Sequence, residues 1–196
     1  MSSLLAQSIA DLSSPDESKK LAAAAEIYRV GRARAGSAIS GWWMESELSA
    51  LLLGPNPVIT VGLAVPRDAF SRIRIANGTP RLAEVPADLD AEEFELHFAD
   101  GVELDILTAR EPGGDGALAK YLAKFGEGVQ QVEYRCTNVG RAAEILKDKF
   151  KVDPIYPVTR NGADGTRVNF FLVKSPEGGK VLIELYESAP PPPHSR

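Results

Sequence analysis

The sequence predicts an α+β fold in which one βαβββ unit is used twice behind an N-terminal helical hairpin. Three observations carry the prediction. The stretch 126–187 divides at its turn signals into a strand, a helix and three strands, and the stretch 57–109 divides in the same order. The last strands of the two stretches also end alike, in VELDIL and VLIELY. A small unit of this kind cannot bury its own apolar face, so a repeat predicts that the copies pair. Two curved four-stranded sheets, each burying one face, then leave a cleft between them.

The later unit is the clearer one. Residues 129–136 alternate and are rich in β-formers. Residues 138–150 carry Val139, Ala142, Ala143, Leu146 and Phe150 at helical spacing, with Asn138 placed to cap the first turn. Asn161-Gly162 and Asp164-Gly165 are turn dipeptides, 166–174 is β-rich, 175–179 is a turn and 180–186 is a final strand. The earlier unit has a strand at 58–65, and a short helix opened by Pro66 and closed by Asn77-Gly78. A short strand at 81–85 follows, then a hairpin of 93–99 and 102–108 around Asp100-Gly101. A loop at 111–116 and a helix at 117–125 connect the units.

Ahead of them, 1–13 reads as a weakly helical lead. A helix is predicted from Ser14 to about Ala35, with Ser14 as cap, Pro15 at the first position and Glu17 completing a capping box. Leu21, Ala24 and Tyr28 lie on its apolar side, and Gly36 interrupts it. A second helix at 37–53 carries Ile39, Trp42, Trp43, Leu48, Leu51 and Leu52 before Gly54-Pro55-Asn56-Pro57. Adjacent tryptophans cannot face the same way on a helix, so one of the two is expected to be partly exposed or to cover another surface. The domain boundaries that follow are 1–54 for the hairpin, 55–126 and 127–188 for the modules, and 189–196 for a Pro-rich disordered tail.

Composition bounds the function. The 196 residues are 44% hydrophobic and 25% charged, an ordinary globular balance. A net charge of -5 and a pI near 5.2 argue against a nucleic-acid partner. No run approaches the roughly 20 apolar residues of a membrane span. The single cysteine, Cys136, excludes an internal disulfide and reads as a buried apolar filler. With no signal-peptide pattern at the N-terminus, the expectation is a cytoplasmic protein whose partner is a small molecule. The hairpin either caps a module or forms a homodimer contact.

Paired βαβββ modules resemble the vicinal oxygen chelate superfamily of glyoxalases, extradiol dioxygenases, bleomycin-resistance proteins and methylmalonyl-CoA epimerases. The nearest resemblance is to the epimerases. ALAKYLAKFGEGVQQVEY at 117–134 is similar to their helix, Gly-Glu-Gly and strand, and GTRVNFFLVKSPEGGKVLIELYE to their last hairpin. ITVGLAV, RLAEVP and LDILT carry a weaker match in the first module. The resemblance spans about 57–187 and leaves the N-terminal helices outside.

It implies four inward side chains around a divalent metal. The matching positions are Thr60, Asp105 (or Glu103 if the register slips by two), Gln131 of the pair Gln130-Gln131, and Glu184. Thr60 and Gln131 stand where the family has histidines. An all-oxygen set suits Mg, Mn or Ca over Zn, Co or Ni. Titration with Mg, Mn or Co would detect a weak site, and a metal-free cavity is the other expectation. The resemblance further implies Glu184 as a base and Glu84, in RLAEVP, as an acid–base residue.

His97 is the histidine within the repeated units. A two-residue hairpin loop at Asp100-Gly101 turns it to the face opposite Asp105. A three-residue loop ending in a left-handed Gly101 places it on the face of Glu103 and Asp105. Two functional readings stand. One is an isomerase moving a proton on an acyl thioester or small oxo acid, as the epimerase resemblance implies. The other is a metal-free small-molecule-binding protein of the same fold.

Overall fold

The two copies meet at β1 (Ile59–Ala64) and β4 (Gly128–Arg135), which pair antiparallel. In this computed structural model, which describes residues 3–188, β1 also runs parallel to β3 (Glu103–Ala109), and β4 runs parallel to β7 (Lys180–Glu187). β2 (Ala91–His97) pairs antiparallel with β3, and β6 (Arg167–Lys174) with β7. The two-residue β5 (Arg160–Asn161) lies on the far edge, giving the order β2-β3-β1-β4-β7-β6-β5. Reading outward from the joint, each copy lays down its first, fourth and third strands, and the second copy adds its second. The paired βαβββ architecture expected from the sequence is therefore present. The tail expected at 189–196 lies outside the described residues.

One predicted strand is missing from the ladder. Residues 81–85 run beside β2 and are tied to it by Ala83 N–H donating to Glu93 O at 3.0 Å. Pro80 and Pro86 bracket the segment; Pro86 has no N–H to give, so the pairing does not extend.

Helices cover the outer face of the sheet. α4 (Arg67–Ala76) and α6 (Val139–Phe150), which follow the first strand of each copy, lie there, whereas α5 (Ala117–Phe125) links the copies and packs its Leu118 and Ala119 on the inner side beside Leu107 and Ala109. Asn138 caps α6 as predicted, its side chain accepting from Arg141 N–H at 2.9 Å. Val61, Leu63, Leu104, Ile106, Val132, Tyr134, Phe171, Ile183 and Leu185 form the buried outer face.

The N-terminal region departs from the prediction in three places. The lead forms a helix, α1 (Ser3–Asp11), docked through buried Ile9 and Leu12. α2 runs from Glu17 to Ala38, and its cap is Asp16, which accepts from Ser18 and Lys19 N–H; Ser14 instead accepts from Asp16 N–H. Gly36 does not interrupt it, because the flanking Ala35 is buried and a helical glycine costs only about 1 kcal/mol. The predicted second helix is a 3-10 segment, Ser40–Met44, followed by a short α3 (Ser46–Leu51). Trp42 is buried edge-on to Phe171, while Trp43 is half-buried against Tyr134, so the adjacent pair does split.

α2 lies across β1, β4 and β7 and so spans the joint between the copies. Gly31 permits this approach: a Cβ there would sit 2.6 Å from a Val61 methyl carbon. None of the described helices is long and apolar enough to cross a membrane.

The turns carry one repeated device. Ala99-Asp100-Gly101 and Ala163-Asp164-Gly165 both place aspartate and glycine in the left-handed region, with Asp100 at φ 59° and ψ 24° and Asp164 at φ 50° and ψ 32°. In the first turn Phe98 N–H donates to Val102 O and His97 pairs with Glu103. The hairpin loop is thus the three-residue form, and His97 shares a face with Glu103 and Asp105.

Candidate functional site: a carboxyl-lined cavity in the curled sheet

Strand alternation decides which side chains face inward. Gly62 pairs with both Asp105 and Gln131, Thr60 with Glu133, Glu133 with Glu184, Glu95 with Asp105, and Phe170 with Glu184. Directly paired residues share a face of the sheet. The inner face therefore collects Glu93 and Glu95 from β2, Asp105 from β3, Gln131 and Glu133 from β4, and Glu184 from β7. These residues line a cavity of about 240 Å³ whose apolar wall includes Val85, Leu107, Leu118, Phe170 and Leu182.

Two local irregularities shape the floor. The β1–β4 register shifts between Gly62 and Leu63, where Gln130 is the extra residue of a bulge. Consecutive glutamines then both reach the cavity. Gly62 makes room for them: a Cβ there would lie 2.5 Å from Gln131 Cγ and 3.1 Å from a Leu107 methyl carbon. With that space, Gln131 Nε2 donates to Glu184 Oε2 at 2.7 Å and to Glu133 Oε1 at 3.1 Å. One amide thus ties together carboxyls from adjacent parallel strands.

Burial and mutual repulsion act on these groups in the same direction. Desolvation, then the charges of Glu133, Asp164 and Glu95, push Glu93 up to about 8. Glu133 is raised to about 7, chiefly by desolvation and against the lowering effect of the Gln131 hydrogen bond. Asp105 and Glu184 are buried and held well above the usual carboxyl range, first by desolvation and then by neighbouring carboxylates. Asp105 Oδ1 and Gln130 Oε1 are buried without a hydrogen-bond partner.

The mouth is bridged between the copies. Arg81 donates to both Asp164 carboxylate oxygens, at 3.0 and 2.6 Å. Asp164 Oδ1 also accepts from Glu84 N–H at 2.9 Å, and Asp164 N–H donates to Glu84 O at 3.1 Å. Arg160 pairs with Asp88 beside this latch. Through the 81–85 segment, the two edges of the open sheet are joined.

The expected site residues divide accordingly. Asp105, Gln131 and Glu184 reach the cavity. Thr60 is buried, but its hydroxyl donates to Glu103 Oε2 at 3.3 Å and it does not line the cavity. Glu84 does not line it either. Ala83 and Val85 take the inward positions of that segment, leaving Glu84 between them exposed to solvent. His97 is largely exposed and meets Glu95 at 3.0 Å. Cys136 is buried, its thiol pushed up to about 11 by desolvation, which fits an apolar filler.

Glu93, Glu133 and Gln130 were missed by sequence reasoning. Alternation alone could have found Glu133, two residues past Gln131, and Glu93, which precedes Glu95 and His97 by the same step. Gln130 depends on the bulge.

The donors do not fit the divalent metal that the fold family implies. Among the described residues no three His, Cys, Asp or Glu side chains come together as ligands. The Thr60 hydroxyl turns to Glu103 and does not line the cavity, and Gln131 presents its amide nitrogen, not a metal-binding oxygen, to the two glutamates.

No family model matches the sequence, and no curated protein does. Solved structures do. Methylmalonyl-CoA epimerase from Mycobacterium tuberculosis is 28% identical with a TM-score of 0.53, over 67% of this chain and 87% of its own. A Streptomyces coelicolor methylmalonyl-CoA epimerase variant in complex with 2-nitronate-propionyl-CoA is 27% identical with a TM-score of 0.54, over 69% of this chain and 99% of its own. A hypothetical protein from Bacillus halodurans, at 20% identity and a TM-score of 0.55 over 69% of this chain and 96% of its own, shares the fold alone. These likenesses identify the architecture as the glyoxalase-like fold of the vicinal oxygen chelate superfamily.

Proposed function

We propose that this protein is a metal-independent, epimerase-like isomerase that moves a proton on the carbon next to a carbonyl, as in an acyl thioester. The observation that carries the reading is the Glu133–Gln131–Glu184 link inside an apolar-walled cavity. Two like carboxyls on facing positions do not both ionise readily, so the pair holds one proton between them at neutral pH. One member is then a base and the other an acid, as exchange of an α-proton requires. The ionised carboxylate takes the α-proton, and the C–H electrons move into the carbonyl to give an enolate. Glu93, raised to about 8 and so protonated at neutral pH, donates a hydrogen bond to the enolate oxygen. Return of a proton to carbon restores the ketone or thioester and the starting charge of the site. Gln131 orients both glutamates; it does not touch the reacting carbon.

Complexes of the similar epimerases with 2-nitronate-propionyl-CoA and with methylmalonyl-CoA support an acyl-CoA as the first compound to test. The measurement is incorporation of solvent deuterium at the α-carbon across a panel of acyl thioesters and simple carbonyl compounds. Exchange that disappears in Glu184→Gln and in Glu133→Gln is the expected result. No exchange from any member of the panel would sink the reading.

A second reading, ligand sequestration without chemistry, is favoured by one observation: Gln131, at a position where the family has a histidine, already has its amide donors engaged. It predicts ligands that raise the melting temperature with no isotope exchange.

A further inference from the structure

The acidic side chains lining the cavity are Glu93, Glu95, Asp105, Glu133, Asp164 and Glu184, and no lysine, arginine or histidine among the described residues joins them there. Arg81 balances Asp164, and His97 lies beside Glu95 outside the cavity. Nothing comparable meets the carboxyl of Asp105. Its side chain is 5% exposed, lines the cavity, and has an oxygen without a partner. Gln130 Oε1, on the other side of β1, is a second buried acceptor with no donor.

Orphaned buried acceptors are uncommon, because each forfeits the hydrogen bonds it had in water. Here both are acceptors and both line the same space. What these two acceptors lack is therefore a donor, and what the cavity wall lacks among the described residues is positive charge. An alkylammonium brings three N–H donors, no acceptor and one positive charge. Val85, Leu107, Leu118, Phe170 and Leu182 offer an apolar surface for the carbon body that carries it. A carboxylate, as in a small oxo acid, would instead add a like charge to a wall that, among the described residues, holds no cation.

We propose that the cavity selects a ligand bearing a protonated amine on an apolar body, with the ammonium held between Asp105 Oδ1 and Gln130 Oε1. The proposal rests on the cavity being the ligand site described above, and it narrows the carbonyl substrates to amine-bearing ones. Asp105 is a binding residue here, distinct from the glutamate pair given the proton transfer. Ammonium binding also favours ionised carboxyls, so it releases protons from the cluster.

The test uses three probes of one shape and different charge: 2-phenylethylamine, 2-phenylethanol and phenylacetate. Each is titrated calorimetrically into the full-length protein near neutral pH, in two buffers of different ionisation enthalpy. Pairing with a buried carboxylate favours the ammonium over its neutral isostere, so the amine is expected to bind roughly tenfold tighter than the alcohol. Phenylacetate is expected to bind weakest. Proton release should accompany the amine alone. Asp105→Asn keeps the shape, and it should erase the advantage of the amine while leaving the alcohol unchanged. Gln130→Leu provides the same comparison if the Asp105 variant does not fold. Alcohol binding as tight as amine, or carboxylate binding tighter, overturns the ammonium inference and leaves the cavity as a ligand site. Binding of none of the three also overturns the inference; the isotope-exchange measurement then decides the proton-transfer reading separately.

Discussion

Replacing Glu133 by glutamine should make the protein more stable, and only above mildly acidic pH. In the folded state Glu133 is raised from its usual 4.5 to about 7, mainly because burial disfavours its charge. Between those values the folded state holds a proton that the unfolded chain has released. The unfolded state therefore binds fewer protons, and stability falls as pH rises across the window. At about pH 8 the full penalty applies, at most about 3 kcal/mol by the conversion of 1.36 kcal/mol per pH unit. Water reaching this half-buried side chain through the mouth brings the value below that ceiling. Glutamine keeps the shape and retains an oxygen to accept from Gln131, but carries no charge. Urea unfolding of both proteins at about pH 5 and about pH 8 reads the difference. Near pH 5, where only the unfolded carboxyl has begun to ionise, the gap should be below about 1 kcal/mol. Near pH 8 the variant should be up to about 3 kcal/mol more stable, or roughly 6–12 °C higher in Tm for a chain of this size. A variant that is no more stable at the higher pH, or a gap that does not change with pH, would refute the reasoning.

Gly62→Ala should push Gln131 off the glutamates, since the new Cβ would lie 2.5 Å from Gln131 Cγ. About 1–3 kcal/mol of stability should be lost, and isotope exchange should fall more than tenfold while circular dichroism stays unchanged. Gly31→Ala places a methyl 2.6 Å from a Val61 methyl carbon and lifts α2 from the joint, with a similar loss in urea unfolding. Arg81→Ala removes an exposed, solvent-screened pair, so stability in urea should change little. Its effect should appear instead as faster ligand association and dissociation in stopped flow, and the wild-type rates should approach those of the variant in high salt.

Much of this was legible in advance, for a physical reason. Strands with one buried face write their period into the sequence, so the repeated βαβββ order could be read from it, and the resemblance to the epimerases then pointed to Asp105, Gln131 and Glu184. The helix caps show the limit: Ser14, Pro15 and Glu17 satisfy a capping box, yet Asp16 takes the cap, because competing short polar side chains within three residues differ by tenths of a kcal/mol. The 81–85 segment has strand composition, and only its bracketing prolines hint that it pairs poorly. Glu84 was misplaced with it. The orphan on Gln130 was illegible, because a bulge is a property of two strands meeting and neither strand alone announces it.

The twin Ala-Asp-Gly turns bear on how the cavity breathes. Asp100 adopts its left-handed conformation in an exposed hairpin, and Asp164 adopts nearly the same one inside the latch. A shape taken in two such different settings is set by the tripeptide itself. The second-module jaw is thus already formed before Arg81 arrives, and little ordering entropy is spent there on closing. The ordering falls on 81–85, which is held to the sheet through Ala83 N–H. Opening should be one-sided: the Asp164 amide, whose acceptor is Glu84 O, should exchange together with the Glu84 amide, while Thr166 N–H, bonded within its own turn to Ala163 O, exchanges more slowly. The entrance then behaves as a flap swinging against a fixed post.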